Sequence, residues 1–276
     1  MAILLVHMSH VVLSVGGARG AYQAKVLRDL SQEGQPMTSF YGSSVGALNA
    51  AMMATGQVHT LVRLWSAITN EMVYNRKVNA LGVARALVSN KAILDLSPLR
   101  QLIYDHLIGH RLKYDLTVEY VDYSHKLITH KMAAGNRLMG DDLNKIYHSC
   151  AIPVIFPTEQ YADGGLMQPV PLSPAIEDAK PGATIIVISC HPFTFYPIAK
   201  PKNNIEKAET AFEIMQSALV RSSLQPFLTI NAMLKEMRLD EWRQFKRFDD
   251  AIYAPSEPLD WGMLDFDAAS KYMREI

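Results

Sequence analysis

Cysteine is scarce: Cys150 and Cys190 are the only two in 276 residues, with no C-x-x-C pair and no Cys/His spacing suited to zinc. A disulfide-stapled scaffold is therefore excluded, and a reducing, cytoplasmic setting is expected. Net charge is missing too, because 27 Lys plus Arg balance 27 Asp plus Glu. Without a global field there is little to hold nucleic acid, and no nucleic-acid partner is expected. No apolar run approaches the roughly 18 residues needed to cross a bilayer, so membrane contact is expected to be peripheral at most. Met1 to Val15 is apolar, yet no Lys or Arg precedes Arg19 and His7 and His10 interrupt the run, which favours a first strand over a signal peptide. The nine histidines include no H-E-x-x-H, and no carboxylate cluster has calcium-loop spacing, so neither a metal nor a cofactor is expected. Linkers, repeats and low-complexity tracts are also lacking, which makes one domain over residues 1–276 the expected organisation.

What is present is an ordinary globular composition, 49% hydrophobic and 20% charged, which excludes a disordered chain. Val11 to Val15 reads as a strand that stops at Gly16-Gly17, and Ala21 to Leu30 follows with Val26, Leu27 and Leu30 at helical spacing. The pattern repeats at once, with a strand over Thr38 to Gly42 and an Ala/Met-rich helix over Val45 to Ala54. Such alternation implies a parallel sheet whose ligands gather at the carboxyl ends of the strands. Strands are predicted over Leu116 to Tyr123, Lys126 to Met132 and Thr184 to Ser189. Amphipathic helices are predicted over Ile205 to Ser223 and Pro226 to Arg238. Helical stretches around Leu61, Leu64, Trp65 and Ile68, then Leu99, Leu102 and Ile103, would cover the sheet or form a cap.

Three short motifs carry the chemistry. Gly42-Ser43-Ser44-Val45-Gly46 matches G-x-S-x-G, a strand-to-helix turn that lifts a serine above the sheet, which makes Ser44 the candidate nucleophile. Gly16-Gly17-Ala18-Arg19-Gly20 ends the first strand and opens a helix, so its backbone N–H groups can face an anion or a developing oxyanion. Arg19 is open to two roles, meeting a substrate phosphate or pairing with an internal carboxylate to hold the loop. Asp163-Gly164-Gly165 follows a proline-rich segment, Ala151 to Pro157, and holds a carboxylate on a glycine turn.

Together, in this order, the motifs resemble the patatin-like phospholipase family, whose signatures are a G-G-G-x-R-G loop, G-x-S-x-G, and D-G-G or D-G-A. The resemblance implies a three-layer α/β/α fold with a mostly parallel central sheet. It implies a lipid acyl hydrolase of phospholipase A or lysophospholipase type, with phospholipid or another acyl-ester lipid as substrate. Ser44 would attack the ester carbonyl, Asp163 would activate it, Gly16, Gly17 and Ala18 would supply oxyanion-hole amides, and Arg19 would bind substrate near the entrance. One departure stands out: Val15 occupies the position of the loop's first glycine. Val does not readily take positive φ, so either the chain is extended there or the loop is reshaped.

Two other readings compete. Ser44, Asp163 and His191 occur in the chain order of an α/β-hydrolase triad, which would make a small-molecule carboxylesterase, although a structural role for His191 after a buried strand is the plainer expectation. A lipid-binding protein with little catalysis is the other, with Val15 as its mark. For the hydrolase, Ala47 to Ala54 and Ile152 to Phe156 are expected to flank an acyl groove. Lys200, Lys202 and Lys207, or Arg243, Lys246 and Arg247, would form any basic docking face.

Overall fold

The computed structural model describes residues 8–75, 92–153, 155–193, 204–236 and 248–276. Its centre is a sheet built from β1 (Ser9–Leu13), β2 (Ser39–Ser43), β3 (Asp115–Asp122), β4 (Lys126–Met132), β5 (Tyr161–Asp163), β6 (Thr184–Ile188) and β7 (Asp249–Tyr253). The order is β4-β3-β2-β1-β6-β7, with β5 also pairing with β3. β1, β2, β3, β6 and β7 run parallel, and β4 and β5 run antiparallel to β3. The sheet is thus mostly parallel, as expected.

Side chains alternate across it, which is what produces three layers. Val11 and Leu13 of β1 and Ile186 and Ile188 of β6 enter one core, shared with α1 (Gly20–Gln32), α2 (Val45–Ala54), α3 (Val58–Ala67), α4 (Asn70–Val73), α5 (Ser97–Leu107), α6 (Gly140–Ser149) and α9 (Phe266–Glu275). Val12, Ile185 and Val187 enter the other, against α7 (Leu172–Asp178) and α8 (Asn204–Glu236).

Several elements differ from expectation. The proline at 226 does not divide the long helix, which runs unbroken through Asn204–Glu236. Val220 and Leu224 before the proline and Phe227 after it are all buried against the second face. That packing outweighs the one backbone donor the proline removes. Met237 and Arg238 of the expected second helix lie outside the described residues, as do Met1 to His7 of the first strand. The short strand β5 and the strand β7 were not predicted; each is too short or too polar to announce itself by periodicity. The helix α9 carried a visible start signal, since Asp265 accepts the Ala268 N–H at 3.0 Å as its N-cap. Among the described residues no helix is long and apolar enough to cross a membrane.

Candidate active site

β2 ends at Ser43 and α2 begins at Val45, which leaves Ser44 alone to make the turn. Its backbone sits at φ 56°, ψ −130°, a conformation L residues rarely adopt. The turn is this tight because α2 rides directly on the end of β1: a Cβ at Gly46 would lie 2.3 Å from the Leu13 carbonyl oxygen. Hydrogen bonds hold the strained residue. The Ser44 N–H donates to Ser149 Oγ at 2.9 Å, and the Ser149 hydroxyl donates to the Glu119 carbonyl at 2.6 Å. Cys150 Sγ donates to the Ser44 carbonyl at 3.2 Å. Sequence reasoning missed Ser149, and no local pattern marks a serine at a helix end as the partner of a residue 105 positions away.

Register explains how Asp163 reaches this turn. β2 pairs with β3 as far as Ser43 opposite Glu119, and β5 takes over the same edge with Asp163 opposite Tyr120. Ser44 and Asp163 therefore follow one another along a single strand. Asp163 Oδ1 accepts the Gly165 N–H at 2.7 Å and the Asp163 N–H donates to the Ala151 carbonyl at 2.9 Å, while Oδ2 has no well-formed partner. Burial pushes its carboxyl up to about 7, and the neighbouring Ser44 hydroxyl and the Gly165 N–H partly restrain the rise.

Val15 does not take the positive φ of a loop glycine, since only Ser44 and His125 among the described non-glycine residues have positive φ, but it is not the last residue of the strand as expected. The strand itself stops earlier, at Leu13. The Val15 side chain fills the space over Gly165, where a Cβ would lie 2.5 Å from Val15 Cγ1. Beyond it, the three loop amides part company. Among the described residues neither the Gly16 nor the Gly17 N–H has a protein acceptor, but the Ala18 N–H donates to the Met263 carbonyl at 2.7 Å. The expectation that Ala18 helps form an oxyanion hole is corrected: its donor is already used. Arg19 is corrected as well. Its guanidinium is buried, pairs with Glu213 on α8 and donates through Nε to the Trp261 carbonyl at 3.2 Å. The internal-carboxylate pairing left open by the sequence is the contact the structure shows.

Two cavities meet at Ser44. The larger, about 100 Å³, is almost wholly apolar, with Leu48, Met52, Trp65, Leu99, Ile152 and Phe156 among its walls. It takes Leu48, Asn49 and Met52 from the first segment expected to flank a groove and Ile152 and Phe156 from the second, while Val154 lies outside the described residues. The helical stretches around Trp65 and Leu99 thus wall a cavity as well as a core. The smaller, about 10 Å³, is bounded by Ser44, Asp163, His191 and Gln216 with Val15 and Phe212. His191 enters because β6 lies beside β1, so the chain leaving β6 arrives at the same sheet edge as the loop after β1. Burial, with the charges of Arg19 and Arg221, lowers its imidazole to about 3. No group of three or more described His, Cys, Asp or Glu residues is arranged to hold a metal. Of the expected basic face, Lys207 is exposed on α8, and Lys200, Lys202, Arg243, Lys246 and Arg247 fall outside the described residues.

Comparison with known proteins bears out the resemblance drawn from the motifs: a patatin-like phospholipase family model matches residues 11–124. The match takes in the glycine loop and the Ser44 turn and ends before Asp163. Uncharacterized NTE family proteins of Mycobacterium tuberculosis and Mycobacterium bovis are 27% identical over 172 residues, 59% of this chain and 44% of theirs. The chain thus spans less than half the length of these relatives. A crystal structure of VipD from Legionella pneumophila aligns over 98% of this chain and 67% of its own, at 14% identity and a TM-score of 0.41.

Proposed function

We propose that this chain is a lipid acyl hydrolase that works through Ser44 and Asp163 by way of an acyl-enzyme. The observation that carries the reading is that a serine on a positive-φ turn and a carboxyl near neutrality line one buried cavity. Above its pKa, Asp163 accepts the Ser44 hydroxyl proton through Oδ2 as Ser44 Oγ bonds to the ester carbonyl carbon. The carbonyl oxygen gains charge and is met by the Gly16 and Gly17 N–H groups, which have no acceptor among the described residues. Collapse of the intermediate expels the alcohol, which takes the proton from Asp163. The acyl chain occupies the apolar cavity, where each buried methylene contributes about 0.8 kcal/mol.

One observation favours the carboxylesterase triad: His191 lines the same cavity as Ser44 and Asp163. An imidazole lowered to about 3 is a weak base, whereas a carboxyl at about 7 is matched to physiological pH. The dyad is therefore the better-supported assignment. The test is labelling with a serine-directed fluorophosphonate. Wild-type protein should be modified at Ser44, Ser44→Ala should take no label, and folded Asp163→Asn should react at least 100-fold more slowly, in the range for loss of a general base. A folded wild type that takes no label would leave a lipid-binding protein instead.

A further inference from the structure

The small cavity beside Ser44 is bounded by three residues that each carry a buried polar atom with no hydrogen-bond partner among the described residues: Asp163 Oδ2, His191 Nε2 and Gln216 Oε1. Asp163 is 4% exposed, and His191 and Gln216 are 5% exposed. Buried polar atoms are nearly always satisfied, so three such atoms around one cavity indicate a polar occupant. Size narrows the choice. About 10 Å³ is the room of a single water, and Val15, Ile152, Leu166, Phe212 and Met263 contribute apolar surface to the walls. A leaving alcohol with its carbon chain does not fit there.

The donors and acceptors also count correctly. Asp163 Oδ2 and Gln216 Oε1 accept, and His191, kept neutral by burial, can donate from Nε2 when that nitrogen carries the ring proton. A water that gives its two hydrogens to the acceptors and takes the imidazole hydrogen on one lone pair has one lone pair left. The cavity's remaining polar walls are Gly16, whose N–H is the proposed oxyanion donor, and Ser44, the residue that bears the acyl group.

We propose that His191 and Gln216 are positioning residues for the water that hydrolyses the acyl-enzyme. This rests on the Ser44–Asp163 reading. The water oxygen bonds to the acyl carbon and passes one proton to Asp163. The tetrahedral intermediate then breaks its bond to Ser44 Oγ, Asp163 returns the proton to that oxygen, and a free acid leaves. Neither His191 nor Gln216 changes protonation state. Their work is to hold the attacking oxygen in line, and they lie on separate elements, beyond β6 and on α8.

The experiment compares wild type with His191→Phe, Gln216→Met and His191→Gln, which restores a side-chain N–H. A p-nitrophenyl acyl ester gives kcat and kcat/KM, and mass spectrometry follows decay of acyl-Ser44 in a single turnover. In His191→Phe and Gln216→Met the acyl-enzyme should decay 10- to 100-fold more slowly, roughly the cost of misplacing a reactant. Fluorophosphonate labelling and kcat/KM should stay within about twofold, because acylation needs neither residue. His191→Gln should recover part of the decay rate. The inference is overturned if decay is unchanged in both variants. It is also overturned if labelling falls together with turnover, as a triad or a purely structural role requires. Labelling also shows that each variant is folded. A wild type that neither labels nor acylates would sink the hydrolase reading itself, a separate outcome.

Discussion

At the scale of single residues, Asp163 carries the clearest conflict between stability and chemistry. Its carboxyl titrates near 7 in the fold against an ordinary 3.8, with burial as the chief cause. The folded state therefore keeps a proton that the unfolded chain has released, so this residue's contribution is most favourable below about pH 4 and is lost as pH rises through 7. Glu119 is also raised to about 7 by burial and slopes the same way. Asp163→Asn removes one of the two titrations and keeps an acceptor for Gly165. Denaturation across pH should find this variant more stable than wild type at pH 8, by up to about 1.4 kcal/mol for each pH unit between the two pKa values, with the gap closing toward pH 4. Wild-type kcat/KM should rise through the same interval as Asp163 becomes a base. Equal stability at pH 8 would show that the carboxyl is not destabilised by burial.

At the scale of elements, the glycine loop is set by what is tied to it. Gln23 on α1 donates to the Ser14 and Ile188 carbonyls at 2.8 and 3.2 Å, Asn49 on α2 donates to Gln23 Oε1 at 3.0 Å, and Trp65 on α3 donates to Asn49 Oδ1 at 2.9 Å. Arg19 adds a tie to α8, the helix that also supplies Gln216. Losing one partner of a buried ion pair costs 3–5 kcal/mol, but the Glu213 side chain is 30% exposed, so Arg19→Met should cost about 1 to 3 kcal/mol. If Arg19 only holds the loop, hydrolysis of neutral and phosphate-bearing esters should fall by the same factor, measured as kcat/KM on matched acyl chains. A loss confined to phosphate-bearing lipids would restore a substrate role.

At the scale of the whole molecule, a large apolar cavity and a small one bounded by Asp163, His191 and Gln216 share Ser44, and the proposed mechanism puts the acyl chain in the first and water in the second. Exposed apolar side chains stand near these residues in the chain as well: Leu166 and Met167 follow Asp163, and Ile214 and Met215 precede Gln216 on α8. The expected outcome is a preference for long acyl chains on an aggregated surface, with kcat/KM rising up to about fourfold per methylene until the cavity is full, from 0.8 kcal/mol each. With 27 basic and 27 acidic residues, vesicle hydrolysis should depend little on salt. An acyl series from two to sixteen or so carbons, repeated on phospholipid vesicles at low and high salt, tests this. A maximum at the shortest esters with no vesicle hydrolysis would leave a small-molecule esterase.

Local pattern by itself determined the strand-turn-helix units around Gly16 and Ser44, because hydrophobic period, glycine placement and helix propensity act within a dozen residues. It also determined that the sheet is mostly parallel and that the Ser44 turn lies at its carboxyl edge. Only tertiary structure decided which distant groups meet there. Asp163 reaches Ser44 through the register of β5 on β3, Arg19 meets Glu213, and Met263 takes the Ala18 amide. His191 turned from a plain structural histidine into part of the cavity because β6 was laid beside β1. These outcomes depend on strand order and helix docking, which are fixed by burial summed over the whole chain and leave no mark at any one position.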